Sequence, residues 1–258
     1  MLKRHDIIVR EYSIPLSRLG AEFDGYRILQ ITDVHLGRRT HGFKALERLK
    51  SIHADLIVVT GDLVHRSRWA PLANEFLEKL IETIDPPDGV LAVKGNHDAA
   101  VDEHLQNNHR VRWLDNETIQ LRRGSQGLNL MGLDQQQVKW RSTDLCQALR
   151  GMESGNGYPT IVLGHYPATA VLVSSFADLV ICGHTHAGQI KLPGLPFYTN
   201  DRLGWRFGHG LRKIGKAYLV VCAGLGFSGI PLRIGSRPEV AVITLVRVGS
   251  AASISVGD

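Results

Sequence analysis

Short apolar runs, rich in β-branched residues and ending abruptly at glycine or a polar residue, recur along this chain, and several precede stretches with helical spacing. "YRILQITDVH" (26–35) leads into "GFKALERLKSIH", where Phe43, Leu46, Leu49 and Ile52 line one side of an amphipathic helix. "DLIVVTGD" (55–62) leads into "PLANEFLEKLIETI", and "GVLAVKGNHD" (89–98) into a predicted helix reaching about Arg110. "PTIVLGH", "DLVICGHTH", "KAYLVVCAGLG" and "EVAVITLVRV" follow. Alternation of this kind predicts an α/β fold, and the late strands predict a second, more antiparallel sheet. With no low-complexity linker or repeat, residues 1–258 read as a single domain, and a hydrophobic fraction of 43% is enough for a sizeable core.

The polar residues that close the runs carry the chemistry. Asp33 and His35, Asp62, Asn96 and His97, His165, and His184 and His186 all fall where a strand gives way to a loop. Ligands of open α/β sheets gather at that end of the strands. Residues two apart on a strand face the same way, so Asp33 with His35 and His184 with His186 can each present a pair of ligands. Carboxylates, imidazoles and one carboxamide suit Mn, Fe or Zn better than a Ca or Mg cage.

These blocks, "DVH", "GDLVHR", "GNHD", "GHYP" and "GHTH", occur in order across about 150 residues, and in that they closely resemble the calcineurin-like metallophosphoesterases. "GHTHAGQIKLPGLP" and "AGLGFSGIPLRIGSRPEVAVITL" extend the resemblance to the subgroup of YkuE-like and YaeI-like phosphodiesterases. The resemblance implies a four-layer sandwich, two mixed β-sheets flanked by helices. It implies one metal on Asp33, His35 and His186, a second on Asn96, His165 and His184, and Asp62 bridging. The metal pair, expected to be Mn with Fe or Zn as alternatives, would hydrolyse a phosphodiester or pyrophosphate through a metal-bound hydroxide. His97 resembles the family's acid, and Arg66 the arginine that contacts phosphate. The chain departs from the family at His65, where the protein phosphatases carry an Asp that orients the acid. His65 could reach a metal instead, or Asp98 could orient His97 in its place. Arg38, Arg39 and His41 follow "DVHLG" closely enough to line the site and contact substrate.

Other features set limits. "GLGFSG" (224–229) fits a dinucleotide fingerprint, but Pro231 and Pro238 oppose the helix such a fingerprint must open, so no NAD is expected. Cys146, Cys182 and Cys222 form no C-x-x-C pair, and disulfides are not expected. A net charge of +5 is close to ordinary solvated surface, and no cationic stripe with interleaved aromatics is long enough for a duplex, so nucleic acid is not an expected partner. No apolar run approaches the roughly 18–20 residues of a membrane span, and the start lacks a signal-peptide core, which predicts a cytoplasmic protein. Residues 192–218 mix Phe197, Tyr198, Trp205 and Phe207 with Arg202, Arg206, Arg212, Lys213 and Lys216. That mixture suits either a peripheral membrane contact or a hairpin packed on the core. The first reading leads to an amphipathic substrate, with UDP-2,3-diacylglucosamine as the specific candidate by resemblance. The alternatives are a nuclease or protein phosphatase of the same fold, or a nonenzymatic metal-binding scaffold.

Overall fold

The computed structural model describes residues 7–37, 42–98, 110–135, 144–152, 157–192, 195 and 198–249. Among the described residues, twelve strands form two six-stranded sheets. The first runs β1 (Ile8–Leu16), β12 (Glu239–Arg247), β2 (Arg27–Ile31), β3 (Leu56–Thr60), β4 (Val90–Val93), β5 (Val111–Trp113). The second runs β10 (Gly210–Ile214), β11 (Ala217–Val221), β9 (Leu179–Cys182), β8 (Thr160–Leu163), β7 (Gln126–Gly132), β6 (Glu117–Arg123). Both are mixed: β2 to β5 are parallel with β12 antiparallel to β2, and β11, β9, β8 and β7 are parallel with antiparallel edges at β10 and β6.

Period-two alternation decides which side chain enters which layer. Ile28, Val58, Val93, Ile161, Ile181 and Ile243 point between the sheets into one shared core. Their neighbours Leu29, Ile57 and Ala92 face outward onto α1 (Gly42–Leu49) and α2 (Ala70–Ile84). Val162, Val180 and Leu219 face the other way, onto α3 (Leu145–Arg150) and α4 (Thr169–Val173). The central strands are buried on both faces, which is why they read as continuous apolar runs. Each large aliphatic or aromatic side chain so buried contributes roughly 1.5–3 kcal/mol. The result is helix, sheet, sheet, helix.

In α2 the residues Ala73, Phe76, Leu77, Leu80 and Ile81 supply the buried stripe. The helix stops at Asp85, which takes a left-handed conformation (φ 50°) immediately before Pro86. The helix expected over 99–109 lies outside the described residues. The late strands do not make a sheet of their own: β10 and β11 form a hairpin on the edge of the second sheet, while β12 crosses back between β1 and β2. One polar side chain is fixed between the sheets just beneath the strand ends. Gln30 donates from Nε2 to Thr60 Oγ1 (2.9 Å) and to the Cys182 carbonyl (2.8 Å), linking the two sheets where their loops begin. Among the described residues no helix is long and apolar enough to cross a membrane.

Candidate metal centre

Parallel strands from both sheets end side by side, so the loops after β2, β3, β4, β8 and β9 converge. The segment after β2 stays in register with the segment after β3: Asp33 N donates to the Gly61 carbonyl (3.0 Å), His35 N to the Asp62 carbonyl (3.0 Å) and Leu36 N to the Leu63 carbonyl (2.7 Å). Such close approach needs glycine. Gly61 has φ 90°, and a Cβ there would lie 2.7 Å from the Gly95 amide nitrogen and 2.7 Å from His165 Nδ1. A Cβ on Gly183 would collide with Thr32 Oγ1 and Asp33 Oδ2.

Two trios result. Asp33, His35 and His186 bring their ligand atoms within 4.8 Å of one another, and so do Asp62, His165 and His184. All six residues are buried at 9% exposure or less. In the first trio His35 Nε2 stands 3.2 Å from His186 Nε2, and His186 Nε2 stands 3.3 Å from Asp33 Oδ1. In the second, His165 Nε2 stands 3.2 Å from His184 Nδ1. Asp62 lies between them, with Oδ2 at 3.5 Å from His35 Nε2 and 3.3 Å from His165 Nε2. Asn96 lines the same cavity of about 410 Å³, its Oδ1 accepting from the Tyr166 hydroxyl (3.1 Å).

The electrostatics suit cations. Burial pushes Asp33 up to about 6, with the charge of Asp62 adding to the shift. Burial opposes ionisation of Asp62 too, but the facing imidazoles, His165 foremost, hold it well below the usual carboxylate range. Burial lowers His35 to about 3 and His184 to about 4, and it drives His186 well below the ordinary value, so these rings keep lone pairs free. His165 goes the other way, up to about 10, because the attraction of Asp62 outweighs its burial. Asp33 Oδ1 and His35 Nδ1 are buried polar atoms without a hydrogen-bond partner. Buried atoms of this kind ordinarily have partners. Orphaned donors, neutral imidazoles and paired carboxylates together fit divalent cations of borderline hardness.

His97 sits at the cavity wall. Its amide donates to Asp62 Oδ1 (2.9 Å), and its ring Nδ1 lies 3.2 Å from the main-chain carbonyl of His65. A carbonyl can only accept, so Nδ1 carries the proton and Nε2 is left for the cavity. The His65 ring stacks on His97 at 5.7 Å and 17°. The group that orients His97 is therefore the backbone of residue 65, not a carboxylate. Asp98 instead ties the loop after β3 to the loop after β4, its carboxylate accepting from the amides of Asp62 (2.7 Å), Leu63 (3.0 Å) and Gly95 (3.0 Å). The His65 side chain falls within a third imidazole group, with His35 and His97. Arg66 is exposed and is not among the cavity-lining residues, while Arg38, Arg39 and His41 lie outside the described residues.

Sequence patterning does not single out Arg233, yet it reaches the site. It donates to the Gly226 (2.6 Å), Ala223 (2.8 Å) and Gly224 (3.2 Å) carbonyls and approaches His186 Nδ1 at 3.1 Å. The glycine run resembling a dinucleotide fingerprint opens no helix. It wraps Asp33 instead, with Gly226 N donating to the Asp33 carbonyl (2.7 Å) and Leu225 N to that of Thr32 (3.2 Å). In the 192–218 segment, Leu203, Phe207 and Ile214 pack on the core of the second sheet, whereas Tyr198 and Trp205 are exposed.

A family model described as calcineurin-like phosphoesterase matches residues 26–188, which contain both trios. The chain is a calcineurin-like phosphoesterase. Membership makes it a hydrolase of phosphoric ester bonds with divalent metal ions at a dinuclear site. This phosphoesterase is 29% identical over 259 residues to the uncharacterized metallophosphoesterase YkuE of Bacillus subtilis, covering 95% of this chain and 87% of that one. It is 30% identical to an uncharacterized metallophosphoesterase of Helicobacter pylori, across 92% of this chain but only 64% of the relative. It is also 30% identical to a transmembrane protein with metallophosphoesterase domain from Danio rerio, where the phosphoesterase spans 57% of the relative's length.

Proposed function

We propose that this phosphoesterase hydrolyses a phosphodiester or pyrophosphate bond, with one cation held by Asp33, His35 and His186 and a second by Asn96, His165 and His184. The observation that carries the reading is Asp62, whose Oδ2 faces the first trio at 3.5 Å and the second at 3.3 Å, as a bridging carboxylate would. Two divalent cations in such a set, Mn being our choice, supply Lewis acidity and an activated water for in-line displacement at phosphorus. His97 is the acid. It acts as the imidazolium: Nδ1–H stays on the His65 carbonyl while the second proton, on Nε2, passes to the leaving oxygen and leaves the neutral ring behind.

The substrate we favour is amphipathic, a nucleotide-linked or lipid-linked ester such as UDP-2,3-diacylglucosamine, taken from a membrane surface that residues 192–218 help to meet at the cytoplasmic side. Two features support this. Apolar Ile190 and exposed Tyr198 share the cavity wall with the polar residues, and a relative is named as a transmembrane protein carrying the same domain.

The reading is tested by a Mn-supplemented hydrolysis panel of a phosphomonoester, a soluble phosphodiester and UDP-2,3-diacylglucosamine, run beside elemental analysis. The expected outcome is turnover of diester and pyrophosphate, and loss of both metal and activity in Asp62→Ala with the fold retained. A metal-free, fully active Asp62→Ala protein would end the proposal, and preference for the monoester would end the diester assignment.

A further inference from the structure

Exposed aliphatic side chains concentrate on two loops at the mouth of the cavity. Ile190, Leu192 and Leu195 stand on one, and Ile230, Leu232 and Ile234 on the other, each between 40 and 61% exposed. The loops are fastened together. Lys191 N donates to the Ile234 carbonyl (2.8 Å) and Ile234 N to the Gln189 carbonyl (2.9 Å), forming an isolated parallel bridge between Ile190 and Ile234. The Gln189 carboxamide completes the clasp, donating to the Ser228 (3.1 Å) and Ile230 (2.8 Å) carbonyls and accepting from Ser228 N (2.8 Å). Because the backbone of both loops is held, the aliphatic tips are displayed in a fixed arrangement, at the cost of leaving them in water. Ile190 and Ser228 also line the cavity that contains Asp62, His97, His184 and His186, so the apolar rim and the metal centre form one continuous surface.

The stretch of chain that carries both loops has a one-sided charge. Between Ile190 and Pro238 the chain carries eight basic residues against a single acid, Asp201, an excess larger than the +5 of the whole chain. The remainder of the protein is therefore net acidic. Arg202, Arg206, Arg212 and Arg237 are exposed cations of this set. Protruding aliphatic tips carried on a basic stretch of chain match the boundary between anionic headgroups and acyl chains, where buried apolar area and electrostatic attraction add.

The geometry points to the aliphatic tips Ile190, Leu192 and Leu195 together with Ile230, Leu232 and Ile234 as a docking face for an anionic lipid bilayer, which would set the open cavity against the headgroup layer. The inference rests on the amphipathic-substrate reading above but moves the apolar contact from the aromatic side chains of 192–218 to aliphatic tips on two loops, the second of which lies outside that segment.

Co-sedimentation of the full chain with vesicles of phosphatidylcholine alone, and of phosphatidylcholine with phosphatidylglycerol, tests the docking face. Binding is expected only to the anionic vesicles and should weaken as salt is raised. A Leu195→Ser, Ile230→Ser, Leu232→Ser variant, with its melting temperature checked, should bind them at least about tenfold more weakly, since apolar area contributes in proportion to what is buried. Asp62→Asn should bind as the wild type does, because docking does not require the chemistry. Absence of vesicle binding in a protein that hydrolyses a soluble diester overturns the docking face and leaves the phosphoesterase reading intact. Vesicle binding by a protein without diesterase activity does the reverse. A concentration-dependent dimer that the triple variant abolishes, with no vesicle binding, assigns the face to self-contact and also overturns the proposal.

Discussion

Replacing His35 by Asn should make the metal-free protein more stable while depriving it of a metal. Asp33, His35, Asp62, His184 and His186 all have left-handed backbone, with φ between 46° and 70°. That conformation costs a residue other than glycine about 1–2 kcal/mol, and Asn is one of the few side chains that tolerate it. At His35 (φ 46°) the strain coincides with a fully buried ring whose Nδ1 has no hydrogen-bond partner, so the substitution forfeits no hydrogen bond at that atom. Against the relief of strain stands the lost packing of the ring on His97 (4.8 Å) and His186 (5.0 Å). A net gain of about 1 kcal/mol is expected, a rise in melting temperature of roughly 2 °C at this chain length. In saturating Mn the order should invert, since ligand at about 100 times its dissociation constant stabilises by roughly 2.7 kcal/mol and the variant forfeits much of that. Thermal unfolding in chelator and in Mn reads both. His165→Asn is the control: His165 is not among the residues with positive φ, and its Nδ1 already contacts the Thr60 carbonyl at 2.9 Å, so that variant should melt lower in chelator. If His35→Asn also melts lower in chelator, the strain argument is refuted.

His97→Ala should lower kcat by about 10²- to 10⁴-fold with metal content nearly intact, and the deficit should shrink for esters with good leaving groups. His65→Ala should cost far less, since the main-chain carbonyl holding His97 survives it; an equal loss would show that the His65 side chain participates. Glu239 provides a pH-dependent case away from the ligands. Burial pushes its carboxyl up, but the hydrogen bonds and charges of His209 and Arg10 more than offset this and hold it below the ordinary value. A depressed carboxyl stabilises fully above its unfolded pKa and loses that contribution as pH falls through its folded pKa. Glu239→Gln should therefore cost about 1–3 kcal/mol at neutral pH, and chemical denaturation should show the gap closing below about pH 4. A gap independent of pH would remove the charge from the explanation.

The ligands are legible in the sequence because the abrupt ends of the apolar runs and the glycines beside Asp62, Asn96 and His184 are local properties; the strand period of two is not the reason, since Asp33, His35, His184 and His186 lie past the ends of β2 and β9 on left-handed backbone. The address of β12 is not. Its run "EVAVITLVRV" looks like any doubly buried strand, and only packing decides that it returns to the first sheet. Sequence reasoning looks for the orienting partner of His97 among side chains, Asp98 in particular, whereas the partner is a backbone carbonyl, which every residue possesses and no sequence reveals. Arg233 is invisible for a related reason: its main acceptors are carbonyls that a glycine-rich turn leaves exposed, and their convergence depends on a conformation. The left-handed φ values of the ligands run against propensity, as strained functional positions do.

The Asp98 carboxylate has a mechanical consequence. Because amides from the loops after β3 and β4 close on the same two oxygens, and the His97 amide also donates to Asp62 Oδ1, the separation of Asp62 and His97 is fixed by one carboxylate-centred knot. The clasped 190s and 230s loops are fastened to each other through Gln189 and meet the centre at His186, which Arg233 approaches at Nδ1 and whose carbonyl accepts from the Ser236 hydroxyl. The architecture thus combines a chassis that fixes the reacting distances with a collar, tied to it at His186, that rims the cavity. A lineage or a designer can exchange the exposed tips, such as Ile230 and Leu232, for others while Arg233 and Ser236 keep their hold on His186.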